Sequence, residues 1–290
     1  WIPIEQCKVS MDDRGLKLGD AVFEVERTFN FEPFDLDGHL DRLFRSLKVV
    51  RIDPGLSRDE IRDISYEAVN RNKHLINPGG DMNIRQVITR GRAASINDSV
   101  PPTVYIAAYP LNTKTYAHLY DEGLHVVFPR TRSYHPDSLD PKVKHTSRMN
   151  FVLAELESSD VDPQSWPVLL DLEGNISEGT GFNFWIVSGG VIRTAGDRSL
   201  LQGISRNNIL QLAAGLDIPV IQEEIQLYDA YNADEAFISG TSNCLIPVSK
   251  MDNRPLDGAM PGPIVKRLLA AWSEKVGVDI VGQAQRLAEM

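Results

Sequence analysis

Two lysines, Lys142 and Lys144, stand in the stretch DPKVKHTSRMNFVLAELE, just ahead of apolar residues at helical spacing: Met149, Val152, Leu153 and Leu156. Most lysines so placed snorkel or lie on the surface. A lysine that can lose its charge by forming an imine does different work, and three further segments carry groups suited to the same chemistry. Gly203-Ile204-Ser205 in LLQGISRNNIL opens a helix, where backbone N–H groups and the Ser205 hydroxyl suit a phosphate, or an ordinary N-cap. Gly240-Thr241-Ser242 in SGTSNCLIPV offers two hydroxyls and a permissive backbone at a strand end, suited to an anion or to a plain turn. Glu178 in ISEGTGFN lies between apolar runs, where a carboxylate is costly unless something cationic meets it. An imine-forming lysine, a carboxylate for a protonated ring nitrogen and two phosphate cradles together describe a site for pyridoxal 5'-phosphate.

The elements that must position these groups alternate in period. AVFEVERTF reads as a strand, LDGHLDRLFRSLKVV and SRDEIRDISYEAVNRN as helices, and NIRQVITRG and TVYIAAYP as strands, which predicts a small α/β domain over residues 1–111. The aperiodic YPLNTKTYAHLYDEG predicts an interdomain connection at 112–122. Residues 123–290 carry short β-rich runs, among them LHVVFPRT, WPVLLDLEG, FNFWIVSGGVIRT and EAFISGT, with helices near 148–158, 205–215 and 262–275. The hairpin-like turns LEGN and SGGV favour a mixed sheet or barrel, so the class is α+β with two domains.

Bulk composition narrows the partners. The 290 residues, 42 % of them hydrophobic, suffice for one large domain or two ordinary ones. A formal charge of -10, from 40 acidic and 30 basic residues without a dense basic run, argues against nucleic acid or an anionic membrane as partner. Cys7 and Cys244 are far apart and belong to no Cys/His cluster, so neither a disulfide framework nor a structural metal is expected, and a reducing, cytoplasmic setting is. No apolar run approaches membrane-spanning length, and WIPIEQCKVS does not read as an export leader.

The order and spacing of HLDRL, VKHTSRMNFVLA, EGTGFN, LQGISR, DEAFISGTSN and GPIVKRL resemble the class IV aminotransferases, the fold-type IV pyridoxal phosphate family, from about residue 11 to about residue 275. That family includes branched-chain and D-amino-acid aminotransferases, (R)-selective amine transaminases and aminodeoxychorismate lyase. The resemblance implies a site between the two domains near a dimer interface, hence a homodimer. It selects Lys144 over Lys142 as the lysine that bonds to the cofactor. It assigns Arg42 to the cofactor phosphate, Glu178 to the pyridine nitrogen, Leu201 to the ring face, Ile204 and Ser205 to the first phosphate cradle and Thr241 to the second. Displaced by an amino donor, the Lys144 amine would carry a proton between Cα and C4′; a keto acid acceptor would then reverse the steps, with ping-pong kinetics.

The pattern also has departures. Phe23 and Met149 stand where many members carry a tyrosine for the cofactor's ring hydroxyl, with Arg148 beside the latter. The Tyr-x-Arg pair of branched-chain enzymes keeps Arg85 but has Asn83. Val25 and Arg27, on one face of a strand, resemble the D-amino-acid and (R)-amine branches, as do Arg90, Arg92 and the Gly-Phe-Asn at Phe182. The expected substrate contacts are therefore Val25, Arg27, Arg85, Arg90, Phe182 and Ser242. A D-amino-acid or (R)-amine transaminase is the first expectation, a branched-chain L-amino-acid aminotransferase the second, and aminodeoxychorismate lyase, which needs no keto acid acceptor, the third. A non-catalytic binding protein on the same scaffold would be expected to have lost the lysine or the glutamate.

Overall fold

Helix α1 (Arg14–Leu18), capped by the Asp13 carboxylate on the Gly15 N–H, leads into strand β1 (Ala21–Phe29) of the computed structural model, which describes all 290 residues. β1 pairs antiparallel with the short β2 (Glu32–Pro33). Next come α2 (Leu36–Val50) and α3 (Arg58–Asn72), then β3 (Met82–Thr89), antiparallel to β1, and β4 (Thr103–Pro110), so the sheet order is β2-β1-β3-β4. Period two puts Val22, Glu24, Glu26 and Thr28 on one face of β1 and Phe23, Val25 and Arg27 on the other. Val22 and Ile88 share the core with Leu36, Leu40, Leu43 and Leu47, a stripe at helical spacing along α2, and with Ile61 of α3. Asp35 caps α2 through the Gly38 N–H, and Ser57 and Glu60 close a reciprocal capping box on α3.

These elements form one compact unit, Trp1–Leu111 together with Val143–Arg148; the second unit is Asn112–Lys142 together with Met149–Met290. The lysine segment, which the sequence reading placed in the larger domain, thus packs with the first sheet. Its backbone explains why: Phe23 N–H donates to Lys144 O at 3.0 Å, Thr146 N–H donates to Ala21 O at 3.0 Å, and Val22 makes an isolated bridge to His145, so an irregular segment is tied to the edge of β1.

The second unit holds α4 (Leu119–Glu122), β5 (Leu124–Val127), α5 (Met149–Val161), β6 (Trp166–Leu170), β7 (Ile176–Gly179), β8 (Asn183–Ser188) and β9 (Val191–Ala195). It continues through α6 (Ile204–Gly215), β10 (Val220–Glu223), α7 (Leu227–Tyr231), β11 (Glu235–Gly240), β12 (Cys244–Met251), β13 (Arg254–Pro255), α8 (Pro263–Val276) and α9 (Ile280–Ala288). The mixed sheet runs β10-β9-β8-β11-β12-β5-β6-β7, and β7 pairs back onto β8 at Glu178 and Asn183, closing a barrel. Gly189 and Gly190, at φ 58° and 80°, make the tight β8–β9 hairpin that SGGV predicts. Inside, Trp185 and Phe237 stack with centroids 5.6 Å apart. No helix is long and apolar enough to cross a membrane.

Residues 112–122 pack into the second unit, where Thr113, Tyr116, Ala117 and Tyr120 are buried. The stripe Met149, Val152, Leu153 and Leu156 does not enter the core. Met149 is 69 % exposed and Leu156 58 %, because β6 covers the other face of α5, where Phe151 and Ala154 meet Leu169. α5 has apolar residues on both sides, so periodicity alone did not say which side β6 would take. Leu40 has no exposure and sits mid-stripe on α2; Leu40→Ala is expected to lower the unfolding free energy by about 2–5 kcal/mol in urea titration, with an unchanged slope.

Candidate active site

The lysine segment holds its side chain over the β1 face opposite the helices. Lys144 N–H donates to Ser46 Oγ of α2 at 3.2 Å, and Thr146 and Ser147 hydroxyls both donate to Gly19 O. Lys144 Nζ lies 4.8 Å from the Phe23 ring centroid, with Arg85 Cζ 5.2 Å and Arg148 Cζ 5.8 Å from the same ring. Burial first, then the charges of Arg148 and Lys144, push the neighbouring His145 down to about 4. Lys142 is partly exposed and pairs with Asp140 at 3.2 Å.

Behind that strand lies a buried acid-base cluster. Arg42 meets Glu24 in a fork, Nε to Oε1 and Nη2 to Oε2, both at 2.7 Å, and His39 Nδ1 lies 2.9 Å from Glu24 Oε2. Burial alone would raise Glu24; the charge and hydrogen bonds of Arg42, then those of His39, outweigh it and hold the carboxyl well below the usual range. Glu26, two residues on, is fully buried beside Gln86, whose Nε2 also donates to Ser65 Oγ. Burial, then the Glu24 charge, push Glu26 well above the carboxylate range, so it is neutral. Burial likewise outweighs Glu24 to push His39 down. The three side chains Glu24, Glu26 and His39 bring ligand atoms within 4.8 Å of one another, but both Glu24 oxygens already belong to a guanidinium.

In the second unit, barrel closure organises the other donors. Glu178 is buried at the end of β7, and Asn183 Nδ2 lies 3.4 Å from Glu178 Oε2 and 3.1 Å from Leu201 O. A Cβ on Gly203 would come within 2.2 Å of Asn183 Oδ1, so only glycine fits there, as a cap without a side chain on α6. Ile204 and Ser205 open that helix, both buried. The second turn, Gly240 to Asn243, is held from below: Tyr116 Oη donates to Ser242 O at 2.9 Å and Tyr120 Oη to Asn243 O at 2.7 Å. Asn243 Oδ1 in this turn is buried with no hydrogen-bond partner. Thr241 and Ser242 are half-buried, and Phe182 packs its ring against Trp166 at 5.6 Å.

The expected arginines separate. Arg90 grips Asp20 through Nε at 2.7 Å and Nη2 at 3.0 Å, and donates to the carbonyls of Val50 and Arg51. A guanidinium so engaged ties the strand ends to α2; the TRG signal resembled a substrate arginine because sequence does not show Asp20 beside it. Arg92 is exposed at the surface. Arg27 is 2 % exposed, its Cζ 4.3 Å from the Phe29 ring. Arg85 is exposed, opposite Val25 on β1 and Ala107 on β4, two small side chains that leave it room. Met149 is exposed at the start of α5, in the second unit. Residues missed from sequence are Glu24 and His39 behind Arg42, and Asn183, Tyr116 and Tyr120 behind the cradles; only Asn183 lay in a quoted motif.

The family profile described as amino-transferase class IV matches residues 21–251. The chain belongs to the class IV aminotransferases. A Methanocaldococcus jannaschii protein, provisionally named branched-chain-amino-acid aminotransferase, is 34 % identical over 92 % of this chain and 91 % of its own length. A Bacillus licheniformis D-alanine aminotransferase is 26 % identical over 93 % of each. The structure of a T.th. branched-chain amino acid aminotransferase with pyridoxamine 5'-phosphate superposes with a TM-score of 0.87 at 28 % identity, covering 95 % of this chain and 91 % of that one.

Class IV aminotransferases use pyridoxal 5'-phosphate, and the residues present fit it: an α6 N-terminus capped by bare glycine, with free backbone N–H groups for a phosphate, and a buried carboxylate at barrel closure. Once bound, the group supplies an aldehyde for a lysine and a ring that takes up electrons from Cα. The fork on Glu24 fixes the Arg42 guanidinium, and Asn183 stands beside the Glu178 carboxylate. The cluster behind Arg42 has a pH consequence. Glu26 is raised above its unfolded value, so it binds a proton in the fold that the unfolded chain releases above about pH 4.3. Stability from this group therefore falls as pH rises through that window. Glu26→Gln is expected to match the parent at pH 4 and exceed it in urea midpoint at pH 8; equal midpoints at pH 8 would refute the neutral acid.

Proposed function

We propose that this aminotransferase acts on branched-chain L-amino acids, with a 2-keto acid as acceptor, through Lys144. The D-amino-acid or (R)-amine reading, first from sequence, rested on Arg27 and Arg90. Arg90 is spent on Asp20 and two carbonyls, and Arg27 is buried over Phe29. Arg85, the arginine shared with the branched-chain signature, is the exposed one. It stands among Phe23, Val25, Val87 and Ala107 on one sheet face, an apolar surround for an aliphatic side chain with one guanidinium for its carboxylate. That arrangement carries the reading, and the names of the M. jannaschii and T.th. relatives favour it. The D-amino-acid reading stays second, favoured by the Val25/Arg27 pair and the D-alanine aminotransferase relatives.

In this reading Lys144 forms the bond to the cofactor and afterwards moves the proton between Cα and C4′; Arg42, Ser205 and Thr241 hold the phosphate, Leu201 packs the ring and Glu178 holds the ring nitrogen. The chain works as a homodimer, and the exposed stripe of α5, apolar at four positions, is part of its contact.

Holoenzyme mixed separately with L-leucine, D-alanine and (R)-1-phenylethylamine is expected to lose its visible cofactor absorbance rapidly with L-leucine alone; fast bleaching by D-alanine would reverse the ordering. Borohydride reduction followed by peptide mapping is expected to place the cofactor on Lys144, with none retained in Lys144→Ala; an adduct on Lys142 would sink the assignment. Arg85→Met is expected to lower kcat/KM for L-leucine by about 10- to 100-fold, the loss of one charge-assisted carboxylate contact. Arg90→Met is expected to lower Tm instead, with the KM for L-leucine unmoved.

A further inference from the structure

We propose that Tyr105 and Tyr109 of β4 complete the carboxylate subsite at Arg85: their hydroxyls donate to the substrate carboxylate that the guanidinium attracts, and so set how tightly that substrate is held. The inference rests on Arg85 meeting a substrate carboxylate and deepens that reading.

The strand ladder places them. β3 and β4 pair antiparallel with Arg85 opposite Ala107, Val87 opposite Tyr105 and Asn83 opposite Tyr109. Side chains alternate along a strand, so Tyr105, Ala107 and Tyr109 share the face that carries Arg85 and, beyond it on β1, Phe23, Val25 and Arg27. Arg85 therefore has a methyl group directly across from it and a phenol on each diagonal. Diagonal neighbours in an antiparallel pair are about 7–8 Å apart, a gap that arginine and tyrosine side chains span together. The charge reaches both rings: burial pushes each phenol up, and in each the Arg85 guanidinium is the first cause opposing that rise. No carboxylate stands on this face of the three strands, so an anion arriving at Arg85 meets no repulsion from the sheet.

Both hydroxyls are unengaged. Those of Tyr66, Tyr116, Tyr120 and Tyr231 each donate to a partner within the chain, at Glu32, Ser242, Asn243 and Asp252. Tyr105 and Tyr109, both half-buried, make no hydrogen bond within the chain. Their raised proton affinity keeps them donors at neutral pH. A carboxylate offers about four lone-pair positions and a guanidinium fork fills two of them, which leaves two for hydroxyls on either side. Tyrosine is also an ordinary strand former whose ring packs on a sheet. The hydroxyl, which packing does not need, is the group that carries the proposal.

The test removes the hydroxyls and keeps the rings. In holoenzyme, Arg85→Met first shows which carboxylate the guanidinium holds, from the KM for L-leucine and the KM for 2-oxoglutarate. Tyr105→Phe and Tyr109→Phe combined are expected to raise that same KM by at least about 10-fold, the loss of hydrogen bonds to a charged group, with kcat within about threefold of the parent. Circular dichroism of the double variant is expected to match the parent, since the rings remain. A second readout needs no turnover. Protein labelled with 13C at tyrosine Cζ is loaded with pyridoxamine 5'-phosphate, and the two signals are assigned by their loss in the single phenylalanine variants. Adding the unreactive acid that matches the substrate found, 4-methylpentanoate for L-leucine or glutarate for 2-oxoglutarate, is expected to shift both signals in the parent and neither in Arg85→Met. A double variant with the parent's KM, or Cζ signals that stay in place while calorimetry shows the acid bound, overturns the proposal and leaves the functional reading standing. Unmoved KM values in Arg85→Met instead defeat the carboxylate role of Arg85, and this inference with it.

Discussion

A charge taken out of water must be met by another or be neutralised, and both units of this chain are organised by that requirement. Glu24 is fully buried and is met by the Arg42 fork and by His39; Glu26, beside it with no cation left to share, is neutral instead. Asp20 gathers Arg14 and Arg90 at the end of the same strand, where their hydrogen bonds and charges outweigh burial and hold its carboxyl down. In the second unit the buried Arg206 of α6 meets Asp197 and the carbonyl of Ala195. Each pairing holds a long side chain in one place inside the fold.

Rigid backbone carries the remaining groups. The Lys144 segment is tied to β1 by main-chain bonds at Lys144 O and Thr146 N–H. Glu178 sits at the pair that closes the barrel, and two tyrosine hydroxyls from the 112–122 segment hold the turn after β11.

The arginines of the first sheet differ in how far the structure has claimed them. Four arginines lie in the β1, β3 and β3–β4 segments that sequence marks for substrate: Arg27, Arg85, Arg90 and Arg92. Burial, an acidic partner or full surface exposure accounts for three of them, and Arg85 is left with an open guanidinium in an apolar surround.

Much was legible in the sequence. Strand β1 and helices α2 and α3 follow from local period and capping, since hydrophobic spacing and a Ser-x-x-Glu box act within a few residues. The family follows from motif order, since the profile match over residues 21–251 covers all the motifs but GPIVKRL. Tertiary structure alone decided what depends on partners distant in sequence. Asp20 claims an arginine 70 residues away, and Glu24 claims Arg42 from a neighbouring helix. β6 chose which apolar side of α5 to cover, and the closing of β7 onto β8 set the place of Glu178. Local spacing says which face an element can bury; which partner meets that face, and which charge is left unmatched, is settled only when the chain folds back on itself.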